Sequence, residues 1–437
     1  MKAAKLNILF LGDILLYGIS ATGHRAGIFF TAINILHQFL KRNDVKVTIL
    51  ISHSNFHLHM HNIPVLKKYL AAEFGHARID IVDLVPDNLL SQTYLTAYKK
   101  QLFCISQHFF LRKIFWTFIK SFIKPFFKFA TGRRVKNFVK VELNKFDIFF
   151  SPDGAAPIPC ETITKFTVLY DVIPLILPEY YGTSISLNAL LSNIKFNEYF
   201  FADSNSTKQD FIRFCQQIDP EKITVTLLAC NEHFVKANNN DIQHTKKKYN
   251  IPDDKKYIFS LCTLDPRKNL IRAVKTFIQF IEKNDIDDLV FVLGGWNLNN
   301  FILRLKSEID EFATFQDKII FTGYVDDRDV PILYSGAEWF VYTSQYEGFG
   351  LPPLEAMSCG CPVITSNNSS LPEVVGNAAL MIDYDSDEQH IAAYEKYYFD
   401  QHLRCEYSQK GLERSKLFSW QKCTDLMIDT MFNSLNK

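Results

Sequence analysis

The chain contains no apolar run approaching the about 18 uninterrupted residues that a membrane-spanning helix needs, so no bilayer span is expected. It has almost no net charge: 48 Lys and Arg stand against 47 Asp and Glu, giving +1. That balance argues against a general nucleic-acid binder. Its nine cysteines include no Cys-x-x-Cys pair and no disulfide framework, and most lie in apolar runs. Reduced thiols in the cytoplasm are the expectation. The opening MKAAKLNILFLGDILLYG lacks the long apolar core and small-residue cleavage site of a signal peptide, because Asp13 interrupts it. A first strand over Leu6–Leu11 is expected instead. The segment 101–136 lacks any acidic residue.

At 437 residues, 47% hydrophobic and 22% charged, the chain has the make-up of a globular protein of two or three domains. Short apolar runs alternate with helix-period segments. In the first half, strands are predicted over Leu6–Leu11, Val45–Ser52, Ile79–Leu84, Phe146–Phe150, Phe166–Tyr170 and from Phe200, with a last strand opening at Pro220. After the polar run Ala237–Asp241, a second series reads strand Tyr257–Leu261, helix Leu270–Lys283, strand Leu289–Leu293, helix Phe301–Ala313, strand Ile319–Phe321 and helix Val330–Ser335. Alternation of this length implies parallel sheets covered by helices on both faces.

The stretch from Phe340 to Glu373 organises the rest. A buried strand ending at Tyr342 leads to Glu347 and the turn Gly348-Phe349-Gly350. Leu351, Pro352 and Pro353 then start a helix carrying Glu355, and Val363–Thr365 is the next strand. A glycine loop entering a helix N-terminus suits an anion, phosphate above all. Two glutamates eight positions apart, one on each side of the loop, suit hydroxyls, so the ligand pattern is that of a nucleotide sugar. Arg267 and Lys268, in Thr263-Leu264-Asp265-Pro266-Arg267-Lys268-Asn269, follow a strand directly. Adjacent cations in such a loop fit a diphosphate.

The run EGFGLPPLEAMSCGCPVI, with its Glu347-x7-Glu355 spacing, resembles the signature of the retaining glycosyltransferases of family GT4. That resemblance implies a GT-B fold: two doubly wound, Rossmann-like parallel-sheet domains facing a cleft, with a C-terminal helix crossing back. The domains would be 1–236 on the acceptor side, 237–415 for the nucleotide sugar, and 416–437 for the crossing helix. It further implies that Glu347 contacts the donor sugar and Glu355 the ribose, while Arg267 and Lys268 hold the diphosphate. Asp171, in YDVIPLILPEYY, corresponds by that resemblance to an aspartate at the family's cleft, with an Asp turn or helix cap as the alternative reading of the residues. Gly348, Phe349, Gly350 and Leu351 are expected to bind the donor, together with Gly27 of the loop that Gly12, Gly18, Gly23 and Gly27 punctuate. His24 and Arg25 of that loop could face a phosphate or acceptor, and Gly323-Tyr324-Val325 the base.

The implied activity moves a sugar from a nucleotide sugar, GDP-mannose favoured, to a glycan or lipid-linked acceptor with retention, in bacterial polysaccharide synthesis. No cofactor and no essential metal are expected, the string Asp383-Tyr384-Asp385 lying past the donor motif. A sugar-nucleotide epimerase, a phosphorylase and a non-catalytic membrane scaffold are the alternatives. His53, His57, His59 and His61 alternate, but no cysteine or carboxylate accompanies them at ligand spacing. In 101–136, Lys113, Lys120, Lys124 and Lys128 fall on one helical face, with Phe115, Phe118, Ile119, Phe122, Phe126 and Phe129 opposite. Such a stretch suits an anionic membrane surface at the inner face of the cytoplasmic membrane, whereas a buried helix pair bent at Pro125 is the structural alternative.

Overall fold

A computed structural model describes residues 5–19, 27–52, 63–74, 79–84, 110–154, 162–181, 187, 191, 194, 198–295 and 298–436. Among these residues the chain builds two sheets. The first takes β1 (Leu6–Leu11), β2 (Val45–Ile51), β3 (Asp80–Asp83), β4 (Ile148–Ser151), β5 (Thr164–Leu169), β6 (Tyr199–Ala202) and β7 (Ile223–Val225). Their order is β3-β2-β1-β4-β5-β6-β7, and β1 to β5 pair in parallel. Runs such as LNILFL and IFFS are buried almost throughout, as strands covered on both faces must be. The expected last strand opens with a 3-10 turn at Pro220–Lys222 and is extended only from Ile223.

The second sheet takes β8 (Lys256–Leu261), β9 (Leu289–Gly294), β10 (Ile319–Gly323), β11 (Phe340–Tyr342), β12 (Val363–Ser366) and β13 (Leu380–Ile382), in the order β10-β9-β8-β11-β12-β13. Strand order reverses between the parallel neighbours β8 and β11. Loops leaving the carboxyl ends of two such strands diverge and leave a crevice, the usual ligand position in an open α/β sheet. The loop after β8 carries Arg267 and Lys268, and the loop after β11 carries Glu347.

The helix Leu270–Lys283 matches its predicted span and buries Leu270, Ala273, Val274, Phe277 and Ile281 against this sheet. The predicted helix Phe301–Ala313 is instead Leu298–Glu308 followed by a 3-10 turn, Asp310–Ala313. Ile309 between them is extended, which lets both Ile309 and Phe312 enter the core. The polar run at 237–241 is not all loop. Asn238 accepts a hydrogen bond from the Asp241 amide and caps the helix Asn239–Lys248.

The described residues form two compact units. One comprises Met1–Leu169, Lys195–Phe201 and Thr424–Lys437, the other Tyr170–Ile194 and Ala202–Cys423. Within the first unit the helix Phe110–Val141 runs through Pro125 without a break. Its exposed stretch includes Ser121, Phe122, Lys124, Pro125 and Phe126. The aromatics there do not face a core: Phe122 is 66% and Phe126 55% exposed. Residues 101–109 lie outside the described residues, as do the side chains of Lys113, Phe115, Phe118, Lys128 and Phe129. No helix among the described residues is long and apolar enough to cross a membrane. His24, Arg25, His53, His57, His59 and His61 also fall outside the described set.

Candidate active site

Every side chain of this site belongs to the second unit. After β8 the chain turns through a 3-10 helix, Pro266–Lys268, because Asp265 accepts a hydrogen bond from the Arg267 amide at 3.0 Å and Pro266 fixes the first turn. Asn269 follows with φ 58°, a left-handed conformation that asparagine tolerates, and the next helix starts at Leu270. This turn aims both cations toward β11. Lys268 Nζ lies 2.5 Å from Glu347 Oε1 and donates to the Tyr342 hydroxyl at 2.6 Å. Arg267 Nη1 lies 2.9 Å from the same Glu347 oxygen and donates to the Tyr346 carbonyl at 2.5 Å. Arg267 Nε donates to the Tyr181 hydroxyl at 2.9 Å, and Tyr181 in turn donates to Asp265 at 3.3 Å.

Two cations therefore face one buried carboxylate. Burial would raise the Glu347 pKa, but the charges of Lys268 and Arg267 more than offset it and hold the group at about 2. Tyr342 donates a further bond to Glu347 at 2.9 Å.

The loop that carries Glu347 needs its glycines. A Cβ on Gly348 would stand 2.2 Å from the Tyr170 carbonyl oxygen, and Gly350 has φ +102° with Leu371 against it. Gly350 precedes the helix Leu351–Ser358. Pro352 and Pro353 in its first turn carry no N–H, so this terminus offers fewer amides to an anion than an ordinary one. Phe349 is buried, with its ring T-shaped to Phe418 at 6.1 Å, and Leu351 is partly buried.

Glu355 occupies a different environment. Its carboxylate accepts from the Tyr334 hydroxyl at 3.3 Å. Burial pushes its pKa up to about 7, with the Tyr334 bond opposing and Asp327 adding to the rise. Asp171 is also buried, and burial raises its pKa, while its Oδ1 accepts from the Ile173 amide at 3.0 Å. That bond makes Asp171 a turn former. Its position beside Gly348 also brings it to the donor loop, where a Gly348 Cβ would meet Asp171 Cβ at 3.1 Å. Gly27 begins the helix Gly27–Lys41 in the first unit, with no atom of the described residues within 4 Å of where a Cβ would be. Gly323 ends β10 with φ +67°, and the exposed Tyr324 beside it donates to Asp327 at 3.3 Å. Asp385 of the Asp383-Tyr384-Asp385 string is paired with Arg272 at 2.7 Å.

Arg267, Lys268, Glu347 and Asp171 are thus neighbours, although 176 positions separate Asp171 from Glu347 by their numbers. Sequence reasoning missed Tyr342, Tyr346 and Tyr181. Tyr342 closes the strand just before the Glu347 loop, which was the available signal. Tyr181 closes the string YDVIPLILPEYY that also holds Asp171, but nothing in that string pointed to its contact with Arg267.

The loops carrying Arg267, Lys268 and Glu347 lie within a span that matches a known protein family. The profile described as Glycosyl transferases group 1 matches residues 241–414. The O-antigen chain mannosyltransferase B of Escherichia coli is 32% identical over 269 residues, covering 60% of this chain and 68% of that protein. The serotype-specific mannosyltransferase WbdA of Escherichia coli is 32% identical over 284 residues, covering 62% of this chain but only 34% of WbdA, so the alignment spans about a third of that relative. Among solved structures, HepE of Anabaena in complex with UDP and glucose superposes with a TM-score of 0.67 at 15% identity, over 98% of this chain and 100% of that one. WaaG, a glycosyltransferase involved in lipopolysaccharide biosynthesis, gives 0.61 at 12% identity, over 97% of this chain and 98% of its own. Both similarities are of fold.

Proposed function

Because the chain belongs to the group 1 glycosyltransferases and has their GT-B fold, we propose that it transfers mannose from GDP-mannose to a growing glycan or lipid-linked acceptor in bacterial surface-polysaccharide synthesis. The observation that carries this reading is the cluster of Arg267 and Lys268 on the single carboxylate of Glu347, placed where strand order reverses. In the transfer, the bond from the anomeric carbon to the diphosphate oxygen breaks and a bond to an acceptor hydroxyl forms. Negative charge grows on the departing diphosphate. Arg267 offers a planar fork and Lys268 a point charge, so together they stabilise that charge more in the transition state than in the bound donor. With this positive charge supplied by the protein, no essential metal is proposed.

Glu347 is ionised at neutral pH and can accept bonds from sugar hydroxyls once the diphosphate engages its two cations. Glu355 is assigned to the ribose hydroxyls. Retention of anomeric configuration follows the enzymes that the Glu347-x7-Glu355 signature resembles. Mannose is favoured by the similarity to O-antigen mannosyltransferases. The acidic-free helix 110–141 supports a peripheral position on the inner face of the cytoplasmic membrane.

Thermal stabilisation by GDP-mannose, against UDP-, dTDP- and ADP-sugars, tests the donor, since a ligand selective for the folded state raises the melting temperature by mass action. The expected result is a shift with GDP-mannose that Arg267→Ala and Lys268→Ala abolish. A shift confined to another nucleotide would overturn the donor assignment. Loss of donor without any acceptor would favour an epimerase, and full turnover by Glu347→Ala would remove Glu347 from the mechanism.

A further inference from the structure

We propose that the helix Asn205–Phe214 is a positioning clamp for the Glu347 loop, acting through Tyr346 on one side of the glutamate and Gly348 on the other. The inference rests on the assignment of Glu347 to the donor site and adds the residues that hold it there.

The clamp is built from one short stretch, Ser204-Asn205-Ser206-Thr207-Lys208-Gln209-Asp210. Ser204 is fully buried and caps the helix, accepting from the Thr207 amide at 3.0 Å, while its hydroxyl donates to the Gly348 carbonyl at 2.6 Å. The Thr207 hydroxyl lies 3.2 Å from the same carbonyl and 2.7 Å from that of Tyr170. One turn on, the Asp210 carboxylate accepts from the Tyr346 hydroxyl, at 2.8 Å and 3.0 Å to its two oxygens. The helix therefore grips the residue before Glu347 by its side chain and the residue after it by its backbone. Glu373 fastens the N-terminus of the helix, accepting from the amides of Asn205 and Ser206 at 2.8 Å and 2.7 Å. Ser370 completes the support by donating to the Glu347 and Phe349 carbonyls at 3.0 Å and 2.8 Å.

A reason for such a clamp lies in the electrostatics. As the structure stands, Arg267 and Lys268 orient the Glu347 carboxylate directly. A diphosphate would compete for the same two cations. Glu347 would then keep its position through its flanking backbone, and that backbone is held by Tyr346 and Gly348. Tyr346 is doubly involved, because its carbonyl also receives the Arg267 guanidinium. Small displacements of a reacting or orienting group lower turnover steeply.

The test uses the full-length protein with GDP-mannose, or with whichever donor the thermal panel identifies, and compares Tyr346→Phe, Thr207→Val and Thr207→Ser. The first two should lower kcat about tenfold while leaving the donor KM and the donor-induced melting shift near those of the parent. Thr207→Ser, which keeps the hydroxyl, should restore kcat. In single-turnover measurements on a Glu347→Gln background, Tyr346→Phe should add no further loss, because both changes act on the same group. Unchanged kcat in both Tyr346→Phe and Thr207→Val would overturn the clamp, as would losses that appear in KM alone or that Thr207→Ser fails to restore. A parent protein that turns over no nucleotide sugar would instead refute the functional assignment, which separates the two failures.

Discussion

Glu347 and Glu355 stand eight positions apart and are chemically the same side chain, yet their surroundings drive them in opposite directions. Glu347 is held at about 2 and Glu355 is raised to about 7. The cause is local: two cations contact the first, and the second is enclosed beside a tyrosine hydroxyl and receives no cation among its named partners. For Glu355 the sign is that of a carboxyl whose folded pKa exceeds its unfolded value of 4.5. Its contribution to stability is complete below that value and is lost as pH rises through about 7. The melting temperature should therefore fall between pH 5 and pH 8, and Glu355→Gln, neutral throughout, should remove part of that slope. An identical slope in the variant would show that Glu355 is not the titrating group. Glu347 runs the other way, contributing stability above 4.5 that is lost as pH falls toward 2.

The element that departs most from an ordinary globular pattern is the helix Phe110–Val141. A soluble surface helix turns its aromatic residues inward, but here Phe122 and Phe126 face outward, their rings 6.2 Å apart, with Lys124 exposed between them. Arg133, Arg134 and Lys136 are exposed further along, and the helix contains no acidic residue to neutralise them. Aromatic side chains flanked by cations partition into the interface of an anionic bilayer. Vesicles containing phosphatidylglycerol should bind the protein, and neutral phosphatidylcholine vesicles should bind it weakly. Replacing Phe122 and Phe126 together by serine should reduce binding several-fold without lowering the melting temperature, since exposed side chains carry little folding energy. Equal binding to both vesicle types, or no effect of the double variant, would count against a membrane role.

At the scale of the molecule, the last helix shows how distant parts of the sequence complete one unit. From Thr424 onward its residues belong with the first unit, where Asp425 pairs with Arg42 at 2.5 Å and Met427, Ile428 and Met431 are fully buried. Burial of those three side chains contributes roughly 4.5–9 kcal/mol at about 1.5–3 kcal/mol each. Truncation after Cys423 should therefore destabilise that unit, seen as a lower urea midpoint or loss of its cooperative transition. A truncated chain with unchanged unfolding would show that the helix is dispensable for stability.

The amino-acid sequence determined the two α/β series, because apolar runs of strand length alternating with helical periods admit little else. Helix Leu270–Lys283 and strand β1 coincide with their predicted spans, and the loops carrying Arg267, Lys268 and Glu347 and the helix start carrying Glu355 were legible from glycine, proline and charge placed just beyond strands. Only the tertiary structure decided which of these loops meet. Strand order put β8 beside β11, and that adjacency joined Arg267 and Lys268 to Glu347. The same folding brought Tyr181 to Arg267, 86 positions away, and Asp210 to Tyr346, 136 positions away. Hydrogen bonds across such separations leave no periodic trace in a single sequence, and the difference in pKa between two glutamates depends on burial and neighbouring charge, which exist only once the chain has folded.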